Sequence, residues 1–109
     1  MKQFDVYRNT GKNRATIPYV VVVQSAFFNR FKRRVVVPLV RASELEKVGG
    51  VPDALVNPVL LVAGERVVFN PLEIVSVPLE ALGEQVASLD EGGDAMMAAL
   101  DELFSRAWG

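Results

Sequence analysis

Short β-branched runs separated by polar, glycine- or proline-bearing stretches fill most of the chain, and a spacing of three and four takes over only near its end. Phe4 and Val6 alternate with Gln3, Asp5 and Tyr7, the period of a half-buried strand. "NTGKNR" after them reads as a polar, basic, mobile loop over residues 9–14. Tyr19 to Val23 and Val35 to Val40 are strand-length apolar runs suited to a barrel or sheet core. Pro38 in the second run favours an edge or a bulge over the middle of a sheet. "VLLV" (59–62), a turn through Ala63 and Gly64, and "RVVF" (66–69) predict a hairpin that Asn70 and Pro71 close. "EIVSV" (73–77) predicts one more strand, after which Pro78 opens a short helical turn that Gly83 ends.

The tail alone carries a helical period. Asp94 is placed to cap a helix whose apolar stripe runs through Met96, Ala99, Leu100, Leu103, Phe104, Ala107 and Trp108, with Asp101, Glu102, Ser105 and Arg106 opposite. Met96 to Phe104 are expected to pack on the sheet. Trp108, the sole tryptophan, ends a chain that stops at "FSRAWG". Chain ends fray, so this indole either docks into the core or meets a partner, and tryptophan is enriched at binding hot spots.

Composition narrows the chemistry. At 109 residues, half of them apolar, one core and one domain over 1–109 are expected. The formal charge of -1 leaves no global field for nucleic acid or membrane. The chain has no cysteine and no histidine, which excludes disulfides, thiolate metal sites, the Ser/His/Asp triad and the commonest general base. There is no P-loop or dinucleotide-type glycine loop, and Glu44/Glu46, Asp90/Glu91 and Asp101/Glu102 lack metal-ligand spacing. No catalytic residue, metal or cofactor is therefore expected. "MKQFDVYRN" does not read as a signal peptide and no apolar run reaches spanning length, which predicts a cytoplasmic protein with no membrane contact.

One local patch stands out. In "NRFKRRVVVP", Arg30, Lys32, Arg33 and Arg34 surround Phe31 just before a strand. Such a patch meets phosphate or an acidic peptide, or else is a solvated loop whose charges protect a strand edge. Arg8, Lys12 and Arg14 are further cations whose placement the sequence leaves open.

The order of segments resembles the CcdB toxins of bacterial toxin–antitoxin modules. The resemblance runs over nearly the whole chain: "QFDVYRN", "VVVQS" (21–25), "RRVVVPL" (33–39) and, most specifically, "SVPLEALGEQVASL" (76–89). It implies a mainly β fold, an SH3-like small β-barrel with a short added β-sheet and a C-terminal α-helix. It also implies a homodimer that is not an enzyme. Such a toxin binds the DNA gyrase A subunit and traps gyrase on cleaved DNA. A CcdA-like antitoxin with a disordered C-terminal segment removes it, and the pair together binds operator DNA.

In that family a terminal Trp-Gly step, followed by isoleucine, carries the gyrase contact, so Trp108 and Gly109 inherit that role by resemblance. Ala107 stands where the family has an aromatic, no isoleucine follows Gly109, and the segment from Leu89 to Trp108 is about one helical turn longer. Arg8, Arg14, Arg30, Lys32 and Arg33 are candidate contacts for an acidic antitoxin segment. The alternatives are a CcdB homologue that binds antitoxin without toxicity, and a MazF-like ribonuclease whose cations grip RNA.

Overall fold

A computed structural model describes residues 1–50 and 53–105. It is mainly β: a curled antiparallel half-barrel sheet with one long helix at the C-terminal end. The strands are β1 (Asp5–Asn9), β2 (Tyr19–Val22), β3 (Arg33–Arg41), β4 (Val59–Val62), β5 (Glu65–Phe69), β6 (Val75–Pro78) and β7 (Leu82–Ser88). Helix α1 (Ala42–Glu46) follows β3, and α2 (Gly93–Ser105) follows β7. The sheet order is β4-β5-β3-β2-β1-β7, with β6 also on β3.

The nine-residue β3 organises this arrangement. One edge pairs with β2, and the other is shared between β6, opposite Arg33 to Val36, and β5, opposite Leu39 to Arg41. Pro38 therefore lies in the middle of the sheet, not at an edge or bulge. It opposes Val20 across β2, and its carbonyl accepts from the Asn70 N–H (3.0 Å) on the other side. Its ring nitrogen faces the gap between β5 and β6, where no ladder bond is forfeited.

Continuous valine runs arise because both faces of these strands are covered. On one face Val6, Val21, Val37, Leu39, Val67 and Phe69 meet Met96, Ala99 and Leu100 of α2. On the other, Tyr7, Val22 and Val36 form a smaller cluster with Val20, Val77 and Leu82. The predicted alternation at the N-terminus consequently breaks down. Asp5 and Tyr7, expected on a polar face, are buried beside Val6. Asp5 is kept soluble in the interior by the Lys2 N–H and the Ser88 hydroxyl, each donating to its carboxylate at 2.8 Å. Phe4 lies outside the strand with φ 72°, its N–H donating to Val22 O and its carbonyl accepting from Leu89 N–H.

The β4–β5 hairpin forms as expected, with both Ala63 (φ 50°) and Gly64 (φ 80°) left-handed as a two-residue primed turn requires. A 3₁₀ turn, Leu79–Ala81, follows Pro78, but Gly83 does not end it. Gly83 belongs to β7, where an added Cβ would stand 2.9 Å from the Arg8 carbonyl, so glycine permits the close approach of β7 to β1. Asp94 is not a cap either. A 3₁₀ turn, Asp90–Gly92, leads directly into α2 at Gly93, placing Asp94 in the first turn where a carboxylate complements the helix dipole. The apolar stripe packs as far as Leu100; Leu103 is half-buried and Phe104 is 57% exposed.

Candidate functional site

Trp108 and Gly109, the residues assigned to gyrase by resemblance, lie outside the described residues, as do Arg106 and Ala107. What is described is the platform that leads to them. Helix α2 is anchored at its first turns by Met96, Ala99 and Leu100, and its exposed Phe104 opens the final segment.

The basic patch resolves into unlike parts. Adjacent residues of a strand point to opposite faces, and the two arginines of "RR" accordingly do different things. Arg34 turns inward and is 4% exposed. With no ion pair among the described residues, its guanidinium donates to the carbonyls of Phe31 (2.6 Å), Arg33 (2.8 Å) and Asn29 (3.1 Å) and to the Met1 sulfur (3.2 Å). Arg33 lies outward along β6, donating to the Ser76 hydroxyl (2.9 Å) and carbonyl (2.8 Å). Arg34 is thus a scaffold for the loop between β2 and β3.

That scaffold presents an aromatic surface which the sequence reading missed. Ser25 caps a 3₁₀ turn at Ala26–Phe28, accepting from the Phe27 N–H at 3.2 Å. Phe27 and Phe28 meet edge to face at 5.1 Å, Phe28 and Phe31 lie 6.5 Å apart, and the Arg30 guanidinium sits 4.6 Å from the Phe31 ring centre. The three rings are 76%, 44% and 52% exposed. Gln24 fastens the loop from beneath, donating to Phe28 and Arg33 carbonyls and accepting from the Val35 N–H, while Asn29 donates to the Met1 carbonyl. The residues were visible in "AFFNRF", but Phe27, Phe28 and Phe31 are spaced one and three apart, as on an apolar helical face, so nothing in the sequence signalled their exposure.

The remaining candidate cations are separate. Arg8 pairs with Glu84 at 3.2 Å, and Arg14 donates to the Gly11 carbonyl at 3.2 Å. The Leu79–Ala81 turn links their loop to Lys32: Leu79 N–H donates to Lys32 O (3.1 Å), and Thr10 Oγ1 donates to Ala81 O (2.7 Å). Between these elements, on the face away from α2, opens a cavity of about 360 Å³ lined chiefly by Ile17, Val20, Val36, Val75, Val77 and Leu82. Beneath the same face, burial foremost and the nearby Asp5 carboxylate next raise the Tyr7 phenol above its usual range, against the opposing pull of Arg34.

Among the described residues no cluster of carboxylates could hold a metal ion, and no helix is long and apolar enough to cross a membrane. The arrangement offers exposed aromatics, cations and an apolar cavity, the means of binding a macromolecule. A family model described as "CcdB protein" matches residues 3–105. No curated protein matches the chain.

Proposed function

The chain belongs to the CcdB family, and from this premise we propose that it binds gyrase through Trp108 and Gly109. CcdB family toxins are non-enzymatic gyrase poisons of toxin–antitoxin modules, and membership implies the gyrase A subunit and a CcdA antitoxin as partners. The family match over residues 3–105 supports the gyrase-toxin reading, while the roles of Trp108 and Gly109, which lie beyond it, rest on the resemblance of the terminal Trp-Gly step. The Trp108 indole stacks on an arginine of gyrase A, where cation–π attraction and desolvation reinforce each other. Gly109 lets the two backbones approach. The toxin works as a cytoplasmic homodimer of single-domain chains, and it joins its antitoxin on operator DNA. The exposed Phe27, Phe28 and Phe31 surface supports a protein-binding role, since rigid aromatic area ordered in advance favours affinity.

The test is a gyrase supercoiling and cleavage assay with the full chain beside a truncation ending at Ala107. Linear DNA trapped by the full chain and not by the truncation is the expected result. Equal trapping by both would remove Trp108 and Gly109 from the contact. Cleavage of a test RNA without any DNA trapping would replace the reading with a ribonuclease.

A further inference from the structure

Independently of the gyrase reading, we propose that the free edge of β4 receives an extended segment of a partner protein in which apolar and basic residues alternate. β4 is the last strand on its side of the sheet and pairs with β5 alone among the described strands. The two-residue turn at Ala63–Gly64 fixes which of its backbone groups are spent. Val62 and Glu65 flank that turn as a hydrogen-bonded pair, and in an antiparallel ladder bonded pairs alternate with open ones. Leu60–Val67 and Pro58–Phe69 are then the next bonded pairs, and the Phe69 N–H does donate to Pro58 O at 3.0 Å. The N–H and C=O groups of Val59 and Leu61 consequently point away from β5. They face a cleft of about 650 Å³ whose far wall runs from Ser88 to Gly92.

Sheet edges are normally blunted by charge, proline or bulges. β7, the opposite edge, is treated in this way: Glu84 and Gln85 are exposed on it, and its register against β1 shifts between Val6 and Tyr7 and again before Asn9. Val59 to Val62 carry none of these devices, and Val59 and Leu61 are 42% and 63% exposed. The edge is also ordered in advance. Asn57, buried just before it, donates its side-chain amide to Phe69 O (3.1 Å), the carbonyl that Pro58 has no N–H to meet.

The two sides of the cleft call for different side chains. Leu60 turns inward onto Gly92, where an added Cβ would stand 2.9 Å from its Cδ2, so the Asp90–Gly92 turn lies on the inner side. Asp90 and Glu91 line that wall. Among the described residues the Asp90 carboxylate meets only Lys2, at 3.5 Å in a pair open to solvent, and Glu91 has no partner. An exposed pair of that kind contributes little and yields to a competing cation. Successive side chains of an added strand alternate between faces. One set lies beside Val59 and Leu61 and is apolar, and the other meets the carboxylates and is lysine or arginine. Main-chain bonds to Val59 and Leu61 supply affinity in this mode, and the two sets of side chains supply specificity.

Amide NMR titration of the full chain with a capped peptide of alternating lysine and valine tests the proposal. Saturable binding should shift the Val59 and Leu61 amide signals and slow their hydrogen exchange about tenfold or more. The same peptide with glutamate for lysine should bind about tenfold more weakly, and one methylated at every backbone nitrogen should not bind. Glu91→Lys should weaken the lysine peptide about fivefold and strengthen the glutamate one. Leu61→Pro removes an N–H that β5 does not use and should abolish binding with the hairpin kept. The methylated peptide keeps the test independent of whether that variant folds. Failure of the lysine peptide to bind, binding that leaves both amides unmoved, equal binding of the methylated or the glutamate peptide, or a folded Leu61→Pro that binds as wild type overturns the edge site. Slow exchange at Val59 and Leu61 without peptide, lost on dilution, would show a second copy of the chain on this edge and overturn the basic partner.

Discussion

Replacing Gly93 by alanine sets helix propensity against packing. Gly93 has ordinary helical angles (φ −58°, ψ −43°), so nothing in its own backbone requires glycine. Alanine in a helix interior is favoured over glycine by about 1 kcal/mol, and by less in a first turn. An alanine Cβ, however, would stand 2.7 Å from Phe4 Cε2 and 3.1 Å from Cδ2, where carbon contacts are optimal near about 3.5–4.0 Å. The ring has to retreat by roughly 1 Å. Phe4 is poorly able to do so, because its left-handed backbone is held by Val22 O on one side and the Leu89 N–H on the other. Overpacking of this kind costs about 1–3 kcal/mol. Packing should therefore win, with a net loss of about 1–2 kcal/mol and a fall in Tm of roughly 5–15 °C for a chain this size. Thermal unfolding followed by circular dichroism measures it. Phe4→Leu in the Gly93→Ala background should recover part of the loss, so the two substitutions should be clearly non-additive. A Gly93→Ala protein that melts at or above wild type would refute the reasoning, since propensity would then outweigh the contact.

Three further outcomes follow from the geometry. Arg34→Met should cost about 3 kcal/mol by removing a shared donor from three loop carbonyls, and Arg34→Lys should recover little because an ammonium lacks the planar fork; urea unfolding and the NMR spectra of Phe27, Phe28 and Phe31 check both. Ala63→Asn should raise stability by about 0.5–1 kcal/mol by placing a residue tolerant of left-handed angles in the hairpin turn, an effect calorimetry resolves. The raised Tyr7 phenol makes the folded state hold its proton longer than the unfolded chain, so its stabilising contribution is complete below about pH 10 and is lost as pH rises through the folded value. Urea unfolding of wild type and Tyr7→Phe between pH 8 and 11 should show the wild type losing more stability with alkali than the variant.

Sequence patterns disclosed what depends on neighbours in the chain. The hairpin at Ala63–Gly64 and the stripe of Met96, Ala99 and Leu100 are local, set by turn chemistry and by a 3.6-residue period. Asp5 and Tyr7 could not be placed this way, because their burial comes from Ser88, Val77 and Leu82, which reach them only through β6 and β7. β7 itself was missed: "LGEQVAS" is half-covered on both faces, so it carries neither alternation nor a continuous apolar run. Arg33 and Arg34 are indistinguishable in composition and propensity, and only the parity of β3 relative to its faces separates a surface cation from the buried scaffold of the aromatic loop.

That parity also explains why binding surfaces arise where they do. β3 turns Val37 and Leu39 toward α2, and Arg34 and Val36 toward the opposite side. One helix docked on a curled sheet covers a single face, and the strands' second apolar face must close by curvature alone. Closure by β6 and the Leu79–Ala81 turn is partial: it buries Tyr7, Val22 and Val36 but leaves Val75 and the cavity beside it open to solvent. The gap leaves an accessible apolar surface held on the sheet. It lies on the face away from α2, so the helix neither covers it nor closes it.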